Sequence, residues 1–162
     1  MKNYLAVLLV FFSCSMFEHP EDISKNHKAS GCGGFSKLAK VRATFQEIDS
    51  SDYCSAEKIR WQYDKESQTL ELLLTRTWQN CAAKPKMSVK SDHESRFIIS
   101  ISDMSNPNVQ AHCMCIFVLF FEITDITYLT PEIKYKEHSF IVDLTEGSGI
   151  IVTDTASVWH CP

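Results

Sequence analysis

The residues best equipped for chemistry are Cys113 and Cys115 in "HCMC", with His112 beside them, and His160-Cys161 in "WHCP". Thiolate and imidazole are soft ligands, and zinc takes four of them in a tetrahedron. His112, Cys113, Cys115, His160 and Cys161 therefore form one candidate metal set, with zinc as the first cofactor to consider. Met114 adds a thioether suited to Cu(I), which makes copper the second. Zinc knuckles usually place two to four residues between paired cysteines, a wider spacing than Cys-x-Cys. A redox couple is another reading, but a reactive thiol needs an electropositive, accessible setting, and only His112 lies close in sequence. The third reading is structural. In an extended strand, residues two apart project to one face with Cα atoms about 6.6–6.8 Å apart. That is the edge of disulfide range, with poorly directed Cβ vectors. Cys113 and Cys115 are thus expected to anchor two bridges, each to a different distant cysteine.

The redox compartment separates these readings. The chain opens "MKNYLAVLLVFFSCSMF", in which Lys2 is a short positive region and Tyr4–Phe12 an apolar run. A bilayer span needs roughly 20 apolar residues, so this run is too short to remain a transmembrane helix; it has the form of a secretory signal core. Ser13-Cys14 follows it and resembles a bacterial lipobox, in which the cysteine becomes the lipidated first residue of the mature chain. Phe11 and Phe12 depart from that pattern, because leucine and a small residue are usual there. The alternative is an ordinary signal cut after Ser15 that discards Cys14. Seven cysteines fit an oxidising compartment poorly. Acylating or removing Cys14 leaves Cys32, Cys54, Cys81, Cys113, Cys115 and Cys161, an even set of disulfide candidates. Export and disulfides support one another, because cytosolic thiols stay reduced.

The expected organisation is a lipoprotein-type signal at 1–13, a polar tether at 14–31 and a single domain at 32–162. The formal charge of −4 becomes −5 once Lys2 is lost with the signal. No basic patch is present, which argues against nucleic acid as a partner. The tether, with Pro20 and neither helical nor strand periodicity, is expected to contribute little to stability, so a chain starting at Ala29 is expected to melt like the longer one.

From Cys32 onward the recurrent signal is alternation. Ile59, Trp61 and Tyr63 alternate with charged residues in "KIRWQYD", "KESQ" turns the chain, and "TLELLLTRTW" follows. Phe97, Ile99 and Ile101 alternate in "SRFIISIS". Ile133 and Tyr135, then Phe140, Val142 and Leu144, alternate in "EIKYKEHSFIVDL". Residues 35–48 read as helix or strand. "SNPN" at 105–108 and "EGSG" at 146–149 mark turns. This pattern predicts an all-β fold: an antiparallel β-sandwich, or partly open barrel, stapled by disulfides. The run at 113–121 is apolar on both faces, so its second face must be covered by the C-terminal tail, a loop or a partner. Trp61 and Trp78 are both expected in the core.

Taken together, "CGGF" at 32–35, "DYCSAEKIRWQYD" at 52–64, "QTLEL" at 68–72, "QNCA" at 79–82 and "CMCIF" at 113–117 resemble a family of secreted or lipid-anchored domains of Gram-negative bacteria. The resemblance implies location and disulfides but no reaction. Two positions depart from it. Ala82 stands where members often have a second consecutive cysteine, and Ala111 where they often have one two residues before the Cys-Met-Cys. Joint loss implies that positions 82 and 111 face each other. It would place segment 79–82 beside 111–115 and favour Cys81 as one bridge partner, with Cys32, Cys54 and Cys161 competing for the other.

Catalytic signatures are lacking: there is no G-x-S-x-G, H-E-x-x-H or phosphate-binding glycine loop. Two function classes follow. One is a noncatalytic domain of the cell envelope, attached to the membrane by N-terminal lipid and binding or supporting an envelope protein. The other is a small periplasmic metal-binding or thiol-active protein built on the Cys113/Cys115 region.

Overall fold

The computed structural model describes residues 21–32, 56–93 and 95–154. These form nine strands: β1 (Ser24–Ala29), β2 (Glu57–Asp64), β3 (Thr69–Asn80), β4 (Pro85–His93), β5 (Arg96–Asp103), β6 (Met114–Ile123), β7 (Glu132–Tyr135), β8 (His138–Ile141) and β9 (Ser148–Asp154). They make two sheets, ordered β1-β6-β3-β2-β9 and β4-β5-β7-β8, which pack face to face without closing into a barrel. The expected sandwich is present.

Local chemistry accounts for the central hairpin. Asp64 bends the chain after β2: its Oδ1 accepts the Glu66 N–H at 2.9 Å and its Oδ2 accepts the Ser67 hydroxyl at 2.8 Å. Gln68 then takes a left-handed conformation, φ 51°, and the chain returns as β3. Antiparallel partners share a face, so Ile59 lies beside Leu74, Trp61 beside Leu72 and Tyr63 beside Leu70. On the other flank of β3, Leu72 meets Phe121 and Leu74 meets Leu119. Met87, Val89, Phe97, Ile99 and Ile133 supply the facing layer from the second sheet. Burying each large side chain contributes about 1.5–3 kcal/mol, which makes this stripe the main source of stability.

Four features differ from the sequence expectation. First, the second sheet is mixed, because β5 and β7 pair in parallel. The chain leaves β5, returns through β6 in the facing sheet, and re-enters beside β5 running the same way. Second, the polar segment assigned to a tether is partly structural. Ser24–Ala29 is the edge strand β1, paired antiparallel with β6. Its side chains are mostly exposed, and it is attached by main-chain bonds and by polar contacts such as Lys25 Nζ to Thr124 Oγ1, so it carries no apolar alternation. Just before it, Ile23 N donates to Val89 O at 2.9 Å and Asp22 Oδ1 accepts Val89 N at 3.0 Å, joining the start of β1 to the edge of the other sheet.

Third, β3 contains a bulge at Arg76, φ 62°. The register passes from Leu74–Leu119 to Thr77–Phe117, so two residues of β3 oppose one of β6. Side-chain parity flips there. Thr77 turns inward and Trp78 outward, where it is 45% exposed while Trp61 is 5% exposed. Trp78 is therefore a surface residue. Fourth, "EIKYKEHSFIVDL" gives two short strands as read, β7 and β8 joined by a turn at Lys136-Glu137, but the second ends at Ile141, so Val142 lies beyond it and Leu144 opens a 3₁₀ turn.

The doubly apolar β6 is shut from solvent on both faces at its centre. Phe117, Leu119 and Phe121 face the core; Val118 and Phe120 are buried on the outer face by the chain itself. Lys28 Nζ lies 5.6 Å from the Phe120 ring centroid. Met114, at the start of the strand, is exposed. Segment 35–48 lies outside the described residues, as do the signal and Cys14.

Candidate functional site

Cys32, Cys81, Cys113 and Cys115 gather where β3 ends and β6 begins. Asn80 organises the backbone there. Its Nδ2 donates to Ala111 O at 2.6 Å, and its Oδ1 accepts the N–H groups of Ala111 and Ala82, both at 3.0 Å. Cys81 N donates to Cys113 O at 3.0 Å. Segment 80–82 thus runs beside 111–113, and Cys81 bonds to Cys113 with Cα atoms 5.6 Å apart.

The second bridge comes from β1. Ser30 N donates to Val118 O at 2.9 Å and the Ser30 hydroxyl accepts Val118 N at 3.0 Å, so the β1–β6 ladder continues past Ala29. Two residues later, Cys32 reaches Cys115 and bonds to it with Cα atoms 5.5 Å apart. Each cysteine of the Cys-x-Cys pair therefore bonds a different, distant partner. The bridges close loops of 83 and 32 residues. Taken singly, chain-entropy estimates give about 4.5 and about 3.7 kcal/mol for loops of these sizes. The smaller loop lies inside the larger, so the two contributions do not simply add.

The two bridges also lie against each other. The sulfurs of Cys32, Cys81 and Cys115 are all within 4.8 Å of one another, with Cys113 bonded to Cys81. Cys115 is buried, Cys81 half-buried, and Cys32 and Cys113 exposed, so the cluster spans the boundary between core and solvent. Of the described members of the metal set suggested by sequence, Cys113 and Cys115 belong to this cluster. His112 is exposed and is not part of it. His160, Cys161 and Cys54 lie outside the described residues. Cys32 and Cys81 join the cluster through the β1–β6 and β3–β6 pairings, neither of which leaves a local sequence signal.

A second polar constellation sits where the two sheets meet near β9. Glu57, buried at the start of β2, accepts hydrogen bonds from the Tyr135 hydroxyl at 3.0 Å and from Thr153 Oγ1 at 3.3 Å, and pairs with Lys136. Burial first, and then the neighbouring Glu57 carboxylate, push the Tyr135 phenol far above its ordinary range. Tyr135 is therefore a fixed donor rather than a nucleophile or base. The group joins β2 and β9 of one sheet to β7 of the other, and its evident work is structural.

Elsewhere on the described surface, Arg96 binds Glu132 at 2.7 Å and Asp92 at 3.2 Å. These exposed ion pairs contribute modestly and point to no chemistry. No family model, no curated protein and no solved structure matches the chain, so its function must be argued from its own residues.

Proposed function

We propose that the chain is an exported, lipid-anchored, noncatalytic domain of the bacterial cell envelope that binds or supports another envelope component. The observation that carries this reading is the pair of adjacent bridges, Cys32–Cys115 and Cys81–Cys113. Disulfides of this kind persist in oxidising compartments. The signal-like opening and Ser13-Cys14 supply the route and the attachment point.

The fold shortens the linker such an anchor would use. Asp22 and Ile23 are already bonded to Val89, so only residues 15–21 lie between the lipidation site and the sandwich. The eight residue-to-residue steps from Cys14 to Asp22 reach at most about 29 Å. The domain would then work close to the membrane surface, on a partner within that distance.

Membrane fractionation with mass analysis of the mature terminus tests the reading. One acyl chain binds membranes only marginally and several anchor stably, so the Cys14→Ser protein is expected in the soluble fraction and the unaltered protein in the membrane fraction. An unaltered protein that is soluble, with Met16 as its first residue, refutes the lipid anchor.

A further inference from the structure

We propose that Cys32, Cys81, Cys113 and Cys115 form a redox-gated site for one tetrahedral soft-metal ion, zinc first, which the two disulfides close. This goes beyond the anchoring proposal and does not depend on it. The geometry carries it. A zinc–thiolate distance near 2.3 Å sets tetrahedral sulfur–sulfur edges of about 3.8 Å. Bonded sulfurs, about 2 Å apart, would have to separate to that distance on reduction. The Cys81 sulfur, now within 4.8 Å of those of Cys32 and Cys115, would have to close on each by about 1 Å or less, and Cys113, released from Cys81, would swing in by side-chain rotation from its exposed position to supply the fourth sulfur.

The backbone is arranged for it. Cys81 and Cys113 are held together by their own main-chain bond and by Asn80, independently of the disulfide. Cys115 is fixed in β6, and the Ser30–Val118 bonds bring Cys32 to it. Breaking both S–S bonds therefore leaves four thiols on anchored segments. The exposed positions of Cys32 and Cys113 give reductant and metal a way in.

The reductant is a dithiol. Two dithiol molecules each deliver two electrons and two protons, leave as cyclic disulfides, and convert the two bridges into four thiols. Binding of Zn²⁺ by the four thiolates releases four protons. Reoxidation by two molecules of a cyclic disulfide reverses the order: they take up the four electrons, with four protons from solvent, and become dithiols, while the metal leaves and both bridges reform. The oxidised protein has no thiolate to offer here, so the bridges set whether the site exists.

The test reduces the mature protein with a dithiol, removes the reagent anaerobically, and titrates with Co²⁺ and then Zn²⁺. The expected result is one Co²⁺ per chain with four-thiolate tetrahedral absorption, displaced by Zn²⁺, and sheet circular dichroism retained. Alkylation of the Zn²⁺-loaded chain, mapped by mass spectrometry, should spare Cys32, Cys81, Cys113 and Cys115 while labelling Cys54 and Cys161. Cys115→Ser should lose the four-thiolate spectrum, and Cys54→Ser should keep it. The mapping needs no substitution, so it decides the matter even if Cys115→Ser does not fold. Absence of binding, protection of a different set of cysteines, or binding only by an unfolded chain overturns the proposal.

Discussion

Among the described glycines, Gly149 is the one where a single added methyl group should do the most damage. It pairs with Trp61 across β2 and β9, and a Cβ placed on it would lie 2.6 Å from Trp61 Nε1 and 2.7 Å from Cε2 and Cζ2. Carbon atoms rest at about 3.5–4.0 Å, so the added methyl overlaps the indole by roughly 0.8 Å. The indole cannot swing away, because Trp61 is buried beside Leu72 in the central stripe. Overpacking of this kind costs about 1–3 kcal/mol. At about 2–4 °C per kcal/mol for a domain near this size, Gly149→Ala should lower Tm by several degrees. Chemical denaturation of Gly149→Ala, Trp61→Leu and the double variant measures it. The damage should be partly relieved when both are changed, giving a coupling of about 0.5–3 kcal/mol. Unchanged stability in Gly149→Ala, or strict additivity in the double variant, would refute the close packing of Trp61 on Gly149.

Three further outcomes are expected. A chain beginning at Ser30 lacks β1 and its hook on Val89, and should melt well below one beginning at Glu21; equal transitions would return residues 21–29 to a passive tether. Burial raises the Asp22 pKa, but hydrogen bonds from the Ser24 hydroxyl and from the Val89 and Ser24 N–H groups outweigh it, leaving the carboxyl below its ordinary 3.8. Its contribution is therefore present above that value and fades as pH falls through the lower folded one. Asp22→Asn should flatten the acid limb of a stability–pH profile, and an unchanged limb counts against the hook. Tyr135→Phe removes a donor from buried Glu57 and should cost about 1–3 kcal/mol by urea denaturation; a neutral result would show that the carboxylate is satisfied without it.

Strands whose inner face is apolar and outer face charged were legible. "KIRWQYD" lies within β2, and "SRFIISIS" from Arg96 onward within β5, because their alternation matches a half-buried sheet. β4 was less legible because Met87 and Val89 are the only large buried side chains among its described ones and lysines flank them. β1 is held by main-chain bonds along an edge, which impose little on side-chain type. The bulge at Arg76 needs no glycine, so nothing near it announces that Trp78 will turn outward. The parallel pairing of β5 with β7 depends on a return trip through the facing sheet, a feature with no local signature. At the cysteine site, the rule that neighbours two apart do not bond each other is local geometry and could be read directly. The meeting of Cys32 with Cys115, 83 residues apart, depends on β1 pairing with β6, and β1 was the strand with the weakest signal.

The central claim is that two adjacent bridges lock the β1, β3 and β6 junction. Non-reducing peptide mapping of the native protein, after alkylation of any free thiol, tests it most directly. The expected products are one peptide pair linking Cys32 to Cys115 and another linking Cys81 to Cys113. A Cys113–Cys115 bridge, or alkylated Cys113 and Cys115 in the native protein, would contradict the account.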